Sequence, residues 1–139
     1  MAAELFVDTS GWYALAVTGS VGHGDAVRVL EDRIERGFRV VTTNLVVAET
    51  YVLLLRRAGR AAALGFLRHV TAPPNEVVTS VPVLEDQALR DWLLPFQDQA
   101  FSLADAVSFV VMKSRGIREA LALDRHFETA GFVVVPRLE

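Results

Sequence analysis

Apolar residues occur in two alternating patterns along this chain: short runs of three or four, and longer stretches at helical spacing. Glu4–Val7 reads as a short buried strand, after which Thr9-Ser10-Gly11 opens a short helix carrying Trp12, Tyr13 and Leu15. A loop over residues 19–24 precedes a helix capped by Asp25, with apolar positions Ala26, Val27, Leu30 and Ile34, closed by Gly37. Residues 38–41 form a second strand. Thr43-Asn44 then caps a long helix through Arg57, stopped by Gly59, and a further helix runs to about Val70. Pro73-Pro74 breaks the chain before a third strand over residues 76–81. A helix over roughly residues 83–94 leads to Pro95 and a polar loop. Ser102 starts a nearly all-apolar helix that ends at Gly116, and residues 120–123 and 132–135 supply the fourth and fifth strands. Short apolar strands alternating with helices imply an α/β fold, a mostly parallel sheet of about five strands covered on both faces by helices. No repeat, low-complexity segment or linker interrupts the 139 residues, which read as a single domain, 1–139.

Composition narrows the classes. Hydrophobic residues make up 52% of the chain, enough to reserve some apolar surface for a partner. No apolar run reaches the ~18 residues of a membrane helix, since the longest, around Leu45 to Leu55, contains Glu49 and Thr50. The start, Met1-Ala2-Ala3-Glu4, lacks the basic and apolar regions of a signal peptide, and the expected location is the cytoplasm. With no cysteine there is no disulfide, thiolate nucleophile or zinc finger. A net charge of −3 argues against a passive nucleic-acid binder but not against an enzyme whose bound metal supplies positive charge. Two basic groups, Arg56/Arg57/Arg60 and Lys113/Arg115/Arg118, suit either solvated helix ends or phosphate contact.

Four acids stand where apolar segments end or helices begin: Asp8, Glu49, Asp105 and Asp124. In parallel sheets, sites form outside the carboxyl ends of the strands, where Asp8 and Asp124 fall and where the helices of Glu49 and Asp105 can begin. Brought together, four carboxylates repel, and a hard divalent cation with oxygen ligands, Mg²⁺ or Mn²⁺, is the usual remedy. Each also has an ordinary reading. Asp8 and Asp124 can cap helices, and Asp105 lies three residues after Ser102, the capping-box spacing. Glu49 is the exception, one turn into an apolar helix with no Lys or Arg at helical spacing before Leu53, which singles it out.

Other chemistries fit less well. Asp8-Thr9-Ser10 lacks the second Asp of an aspartyl-phosphate nucleophile, and no Gly-rich phosphate loop with Lys is present. Gly22-His23-Gly24 reads as a turn. His69 and His126 are isolated, so His126 is read as packing or capping locally. Trp12, Trp92 and the phenylalanines fall at core or interface spacing.

With their flanks, the four acids resemble the PIN-domain ribonucleases, and among them the VapC-type toxins of type II toxin–antitoxin pairs. The resembling segments are Val7-Asp8-Thr9-Ser10, Thr43-Asn44 through Val47-Ala48-Glu49-Thr50, Phe101-Ser102-Leu103-Ala104-Asp105-Ala106-Val107-Ser108-Phe109, and Ala122-Leu123-Asp124-Arg125-His126-Phe127 with Gly131-Phe132. The likeness spans essentially the whole chain. It implies a PIN-like fold in which Asp8, Glu49, Asp105 and Asp124 form a catalytic metal site for Mg²⁺ or Mn²⁺. Thr9, Ser10 and Ser102 would support them. It implies RNA, single-stranded, as substrate, a homodimer, and a small antitoxin as partner. The sequence departs from the family at Ala104 and Ala122, where hydroxyl residues are frequent. Two other readings remain beside the endoribonuclease: a catalytically idle PIN-like module that binds a partner or RNA, and a metal-dependent phosphatase.

Overall fold

The computed structural model describes residues 2–138. Five strands, β1 (Glu4–Val7), β2 (Arg39–Thr43), β3 (Glu76–Val78), β4 (Glu119–Leu121) and β5 (Val133–Val135), pair in the order β3-β2-β1-β4-β5. Every pairing is parallel, with Phe6 opposite Val41 on one side and Ala120 on the other. The helices are α1 (Thr9–Ala16), α2 (His23–Glu35), α3 (Asn44–Arg57), α4 (Arg60–Val70), α5 (Pro82–Ala88), α6 (Leu103–Arg115) and α7 (His126–Thr129). The expected α/β architecture with a five-stranded sheet flanked by helices is what forms.

Burial explains the topology. In the central strand β1, Leu5, Phe6 and Val7 are all fully buried, as a strand covered on both faces must be. In α6 every residue from Ala104 to Met112 is buried, so this stretch has no water-facing side and is apolar all round except for Asp105 and Ser108. Strand order reverses between β1 and β4, since the chain moves outward from β1 through β2 and β3, then returns to lay down β4 and β5. That reversal opens a crevice at the carboxyl ends of β1 and β4, where ligands of such sheets bind.

Several boundaries differ from expectation, two of them because a side chain takes over a backbone group. The third strand stops at Val78 rather than Val81, because Ser80 N–H donates to Asn44 Oδ1 at 2.7 Å and Pro82 starts α5. Asn44 is therefore a tie between segments, and Thr43 alone caps α3, accepting from Val46 N–H at 3.2 Å. Strand β4 ends at Leu121, since Leu123 N–H turns to Ser10 Oγ at 2.9 Å. Helix α2 starts two residues before Asp25, after Gly22 at φ 84°; Asp25 pairs instead with Arg28 inside the first turn. The helix expected over 83–94 is α5 followed by a π-helical turn, Leu89–Leu93, which seats Trp92 against Phe109 with ring centroids 4.9 Å apart.

Charge is arranged differently at the two ends of the sheet. At the strand starts each acid has an arginine: Arg115 joins Glu4 at 2.7 Å and Glu76 at 2.8 Å, Arg39 joins Glu76 at 3.2 Å, and Arg33 grips Glu119 with two hydrogen bonds of 2.8 and 2.9 Å. Beyond the carboxyl ends, Asp8, Glu49, Asp105 and Asp124 have no such arginine partner among the described residues.

Close approach of α1 to β4 fixes the loop that carries Asp8. A Cβ on Gly11 would run into the carbonyl oxygen of Leu121, and would lie 3.0 Å from its carbon, on backbone that cannot swing away. Gly11→Ala is therefore expected to cost ~2 kcal/mol or more, by thermal or urea unfolding. Gly65→Ala, in α4 where a Cβ meets nothing within 4 Å, should be neutral or stabilising by up to ~1 kcal/mol. Equal behaviour of the two variants would refute this account of the α1–β4 contact.

Candidate active site

The four acids reach the crevice from four elements. Asp8 follows β1 directly, with its N–H on Leu121 O at 3.1 Å, so it sits between the two strands that bound the crevice. Asp105 lies in the first turn of α6, Asp124 between β4 and α7, and Glu49 in the second turn of α3.

Asp8 is the most buried of the four at 2% exposed, with Asp105 next at 7%. Burial, then the charges of Asp124 and Asp105, push its carboxyl from 3.8 up to about 8, against the opposing pull of the Thr9 N–H and the Ser10 hydroxyl. Ser10 Oγ donates to Asp8 Oδ2 at 3.2 Å while accepting from Leu123 N–H, and so fastens β1's end to the segment beyond β4. None of the four acids takes part in an ion pair with Lys or Arg among the described residues; Asp105 has a basic side chain, His126, within reach.

Asp105 forms the capping box that its spacing from Ser102 predicts. Its N–H donates to Ser102 Oγ and its Oδ2 accepts from Ser102 N–H, both at 3.0 Å. Asp124 Oδ1 accepts from His126 N–H at 3.0 Å, tying the acid to the start of α7. The small side chains of Ala104 and Ala122 are both buried beside the acids.

Glu49 corrects the expectation that singled it out. It lies on an exposed part of α3, so no unpartnered burial sets it apart; that argument belongs to Asp8. Its carboxyl is nevertheless raised, first by partial desolvation and also by the charges of Asp105 and Asp124, against hydrogen bonds from Thr9 and Ser102. Thr9 Oγ1 donates to Glu49 Oε1 at 3.0 Å. Thr9, Ser10 and Ser102 thus each touch at least one of the acids.

His126 is the residue sequence reasoning placed wrongly. Its ring Nδ1 lies 3.0 Å from Asp105 Oδ2, inside the site rather than only packed beside it. Nothing at helical or strand spacing links positions 105 and 126; only the folded crevice brings them together.

The donor set is all oxygen apart from one imidazole, suited to a hard divalent cation. A buried carboxyl flanked by two others and lacking an arginine is the environment such a cation relieves. Among the described residues no three His, Asp or Glu side chains are already closed into a ligand set. From Glu49 a groove of ≈ 530 Å³ follows α3, lined by Thr9, Ala48, Glu49, Val52, Leu53 and Arg56. Arg56 stands two turns from Glu49 on the same helix face, ~10 Å along the axis.

Comparison with known proteins follows this geometry. A family model described as PIN domain matches residues 5–133. The chain is 41% identical over 133 residues to the 23S rRNA-specific endonuclease VapC20 of Mycobacterium tuberculosis, strains CDC 1551 and H37Rv, covering 94% of this chain and 97% of that protein. Among solved structures it matches M. tuberculosis VapC20, described as a sarcin–ricin loop cleaving toxin, with a TM-score of 0.86 and 38% identity over 94% of this chain and 97% of that one. PAE2754 from Pyrobaculum aerophilum superposes with a TM-score of 0.60 at 25% identity, over 97% of this chain and 92% of that one.

Proposed function

Because this chain belongs to the PIN-domain family, we propose that it is a divalent-metal-dependent endoribonuclease and the toxin of a type II toxin–antitoxin pair. Endonucleolytic hydrolysis of RNA is the activity named for the VapC20 homologues, which it matches over nearly their whole length. The observation that carries the metal site is Asp8, buried at the strand-order reversal within reach of the charges of Asp105 and Asp124 and paired with no arginine among the described residues.

Asp8, Glu49, Asp105 and Asp124 would hold Mg²⁺ or Mn²⁺, with Thr9, Ser10 and Ser102 steadying the carboxylates. Such an ion, when bound, lowers the pKa of a water and offsets charge developing on the phosphate. No protein nucleophile is then required. Glu49 or Asp124 would orient the attacking water or take its proton, and the raised carboxyl of Glu49 at the rim supports that role. Arg56 would hold an RNA phosphate further along the α3 groove.

The likeness to VapC20 supports the sarcin–ricin loop of 23S rRNA as substrate, which in turn requires the cytoplasm; no helix is long and apolar enough to cross a membrane. The whole chain, 1–139, would act as one PIN domain, unfolding in a single transition. Exposed Val52, Leu55, Val83 and Phe96 support a homodimer, and sedimentation equilibrium showing only monomer at high concentration would remove it. A cleft of ≈ 490 Å³ between α2 and α4, floored by Trp12 and Phe66, supports an apolar segment of the antitoxin. Trp12 fluorescence that stayed unchanged on adding the antitoxin would place its contact elsewhere.

The test is a hairpin oligonucleotide carrying the loop. A single cut is expected in Mn²⁺, none in EDTA, and none in a hairpin with a scrambled loop. Binding without cleavage would favour the idle module, and hydrolysis of small phosphoesters alone the phosphatase. In an Asp105→Asn background, Arg56→Gln should weaken RNA binding and lower the slope of log affinity against log salt by about one. An unchanged slope would take Arg56 off the RNA path.

A further inference from the structure

His126 touches two of the acids at once. Its backbone N–H meets Asp124 Oδ1 and its ring Nδ1 meets Asp105 Oδ2, both at 3.0 Å. The same Oδ2 accepts Ser102 N–H at 3.0 Å. A carboxylate oxygen only accepts, so the ring hydrogen in this contact is on Nδ1. The imidazole is also held by Phe101, edge-on with centroids 5.7 Å apart. Phe101 in turn packs edge-on against Phe109 at 5.0 Å, and Phe109 is one turn beyond Asp105 on α6. Imidazole, aromatic pair and helix therefore close a loop that returns to the carboxylate.

We propose that His126 is a positioning residue, which fixes one oxygen of Asp105 and one of Asp124 so that Asp105 Oδ1 and Asp124 Oδ2 are left for the divalent cation. Neither of those two oxygens takes a donor among the described residues. Two acids from separate elements, 19 positions apart in the chain and both bonded to His126, are thereby set relative to each other. This inference rests on the metal reading above and adds to it a residue that contacts no ion itself.

Two substitutions separate positioning from packing. The amide nitrogen of asparagine lies about where Nδ1 does, so His126→Asn keeps the hydrogen bond while losing ring contact with Phe101. His126→Leu keeps apolar contact and loses the donor. Full-length protein is titrated with Mn²⁺ alone, followed by electron paramagnetic resonance, and melted in EDTA. Expected is a loss of Mn²⁺ affinity of ~10-fold or more for His126→Leu, with His126→Asn within ~3-fold of wild type, since loss of a ligand's orienting partner costs 10–100-fold. The melting temperatures in EDTA should rank the other way, with leucine nearer wild type. Affinity falling equally in both variants, or falling in step with melting temperature, would make His126 a packing residue and overturn the proposal. Wild type that bound Mn²⁺ with His126→Leu unaffected would overturn the positioning role alone. Wild type that bound no Mn²⁺ would overturn the metal reading and this inference with it. Long-range ¹H–¹⁵N spectra give a metal-independent check: hydrogen on Nδ1 supports the proposal, and a ring carrying hydrogen on Nε2 only refutes it.

Discussion

Asp8→Ala and Asp105→Ala are each expected to lower kcat for RNA cleavage by ~10²-fold or more, because removing a metal ligand forfeits several kcal/mol of transition-state stabilisation. The two losses arise by different routes. Asp8 is the buried acid between β1 and β4, and its removal takes away the charge that most needs a cation. Asp105 is half committed to capping α6, so Asp105→Ala also strips Ser102 N–H and His126 Nδ1 of their acceptor. Residues that act as one unit are not additive, so the double variant should be little worse than either single one. RNA binding should survive in all three, since phosphate contacts from arginine do not depend on the chemistry. Single-turnover cleavage of the loop hairpin in Mn²⁺, beside a filter-binding titration, measures both quantities. Cleavage that persisted in EDTA or in Asp105→Ala would point to a contaminating nuclease or another mechanism, and multiplicative losses in the double variant would argue against a shared site.

How legible this was in the sequence depended on whether a signal was local. Strands such as Glu4–Val7 and the helix from Ser102 to Gly116 could be read directly, since burial on all sides leaves continuous apolar runs and the Ser102–Asp105 spacing marks a start. Elements ended early where a distant side chain captured a backbone group. Asn44 taking Ser80 N–H and Ser10 taking Leu123 N–H cannot be inferred from turn chemistry alone. Candidate acids followed the same division. Asp8 and Asp124 were visible because they follow strands. Glu49 was chosen for an apolar setting that its helix turns toward solvent, because flanking hydrophobicity does not say which face of α3 is covered. His126 was passed over for want of a sequence partner, although folding gives it Asp105. Of the arginines at the strand starts only Arg115 was weighed for phosphate contact, and it is taken up by Glu4 and Glu76; their pairing there is what makes the lack of an arginine partner for the four acids, among the described residues, informative.

That missing counter-charge predicts an unusual stability profile in the metal-free protein. Burial and the charges of Asp124 and Asp105 push the Asp8 carboxyl of the folded protein from the ordinary 3.8 up to about 8, so between those values the folded state binds the extra proton. Stability then falls as pH rises: the contribution is fully present below about 4 and is lost as pH passes through about 8. The difference corresponds to roughly 6 kcal/mol, at 1.36 kcal/mol per tenfold change. Glu119 and Glu76 act in the opposite sense. Hydrogen bonds from Arg33 and Arg115 hold them below the usual carboxylate range, so their contribution is lost only as pH falls below that range. The two windows do not overlap above pH 5. In EDTA the melting temperature should therefore decline from pH 5 to pH 8.5, and Asp8→Asn, which cannot ionise, should flatten most of that decline. At pH 8.5 the variant should melt higher than wild type by at least ~5 °C, at 2–8 °C per kcal/mol for domains of this size. Saturating Mn²⁺ should flatten the wild-type profile in the same way, by binding the folded state alone, and should do little for the variant. The asparagine protein is thus expected to be more stable and inactive, as a group kept charged for chemistry rather than for folding would be. A wild-type melting temperature that stayed level from pH 5 to 8.5 in EDTA, or an Asp8→Asn protein less stable than wild type at pH 8.5, would mean that Asp8 is a capping residue already satisfied by Ser10 and the backbone.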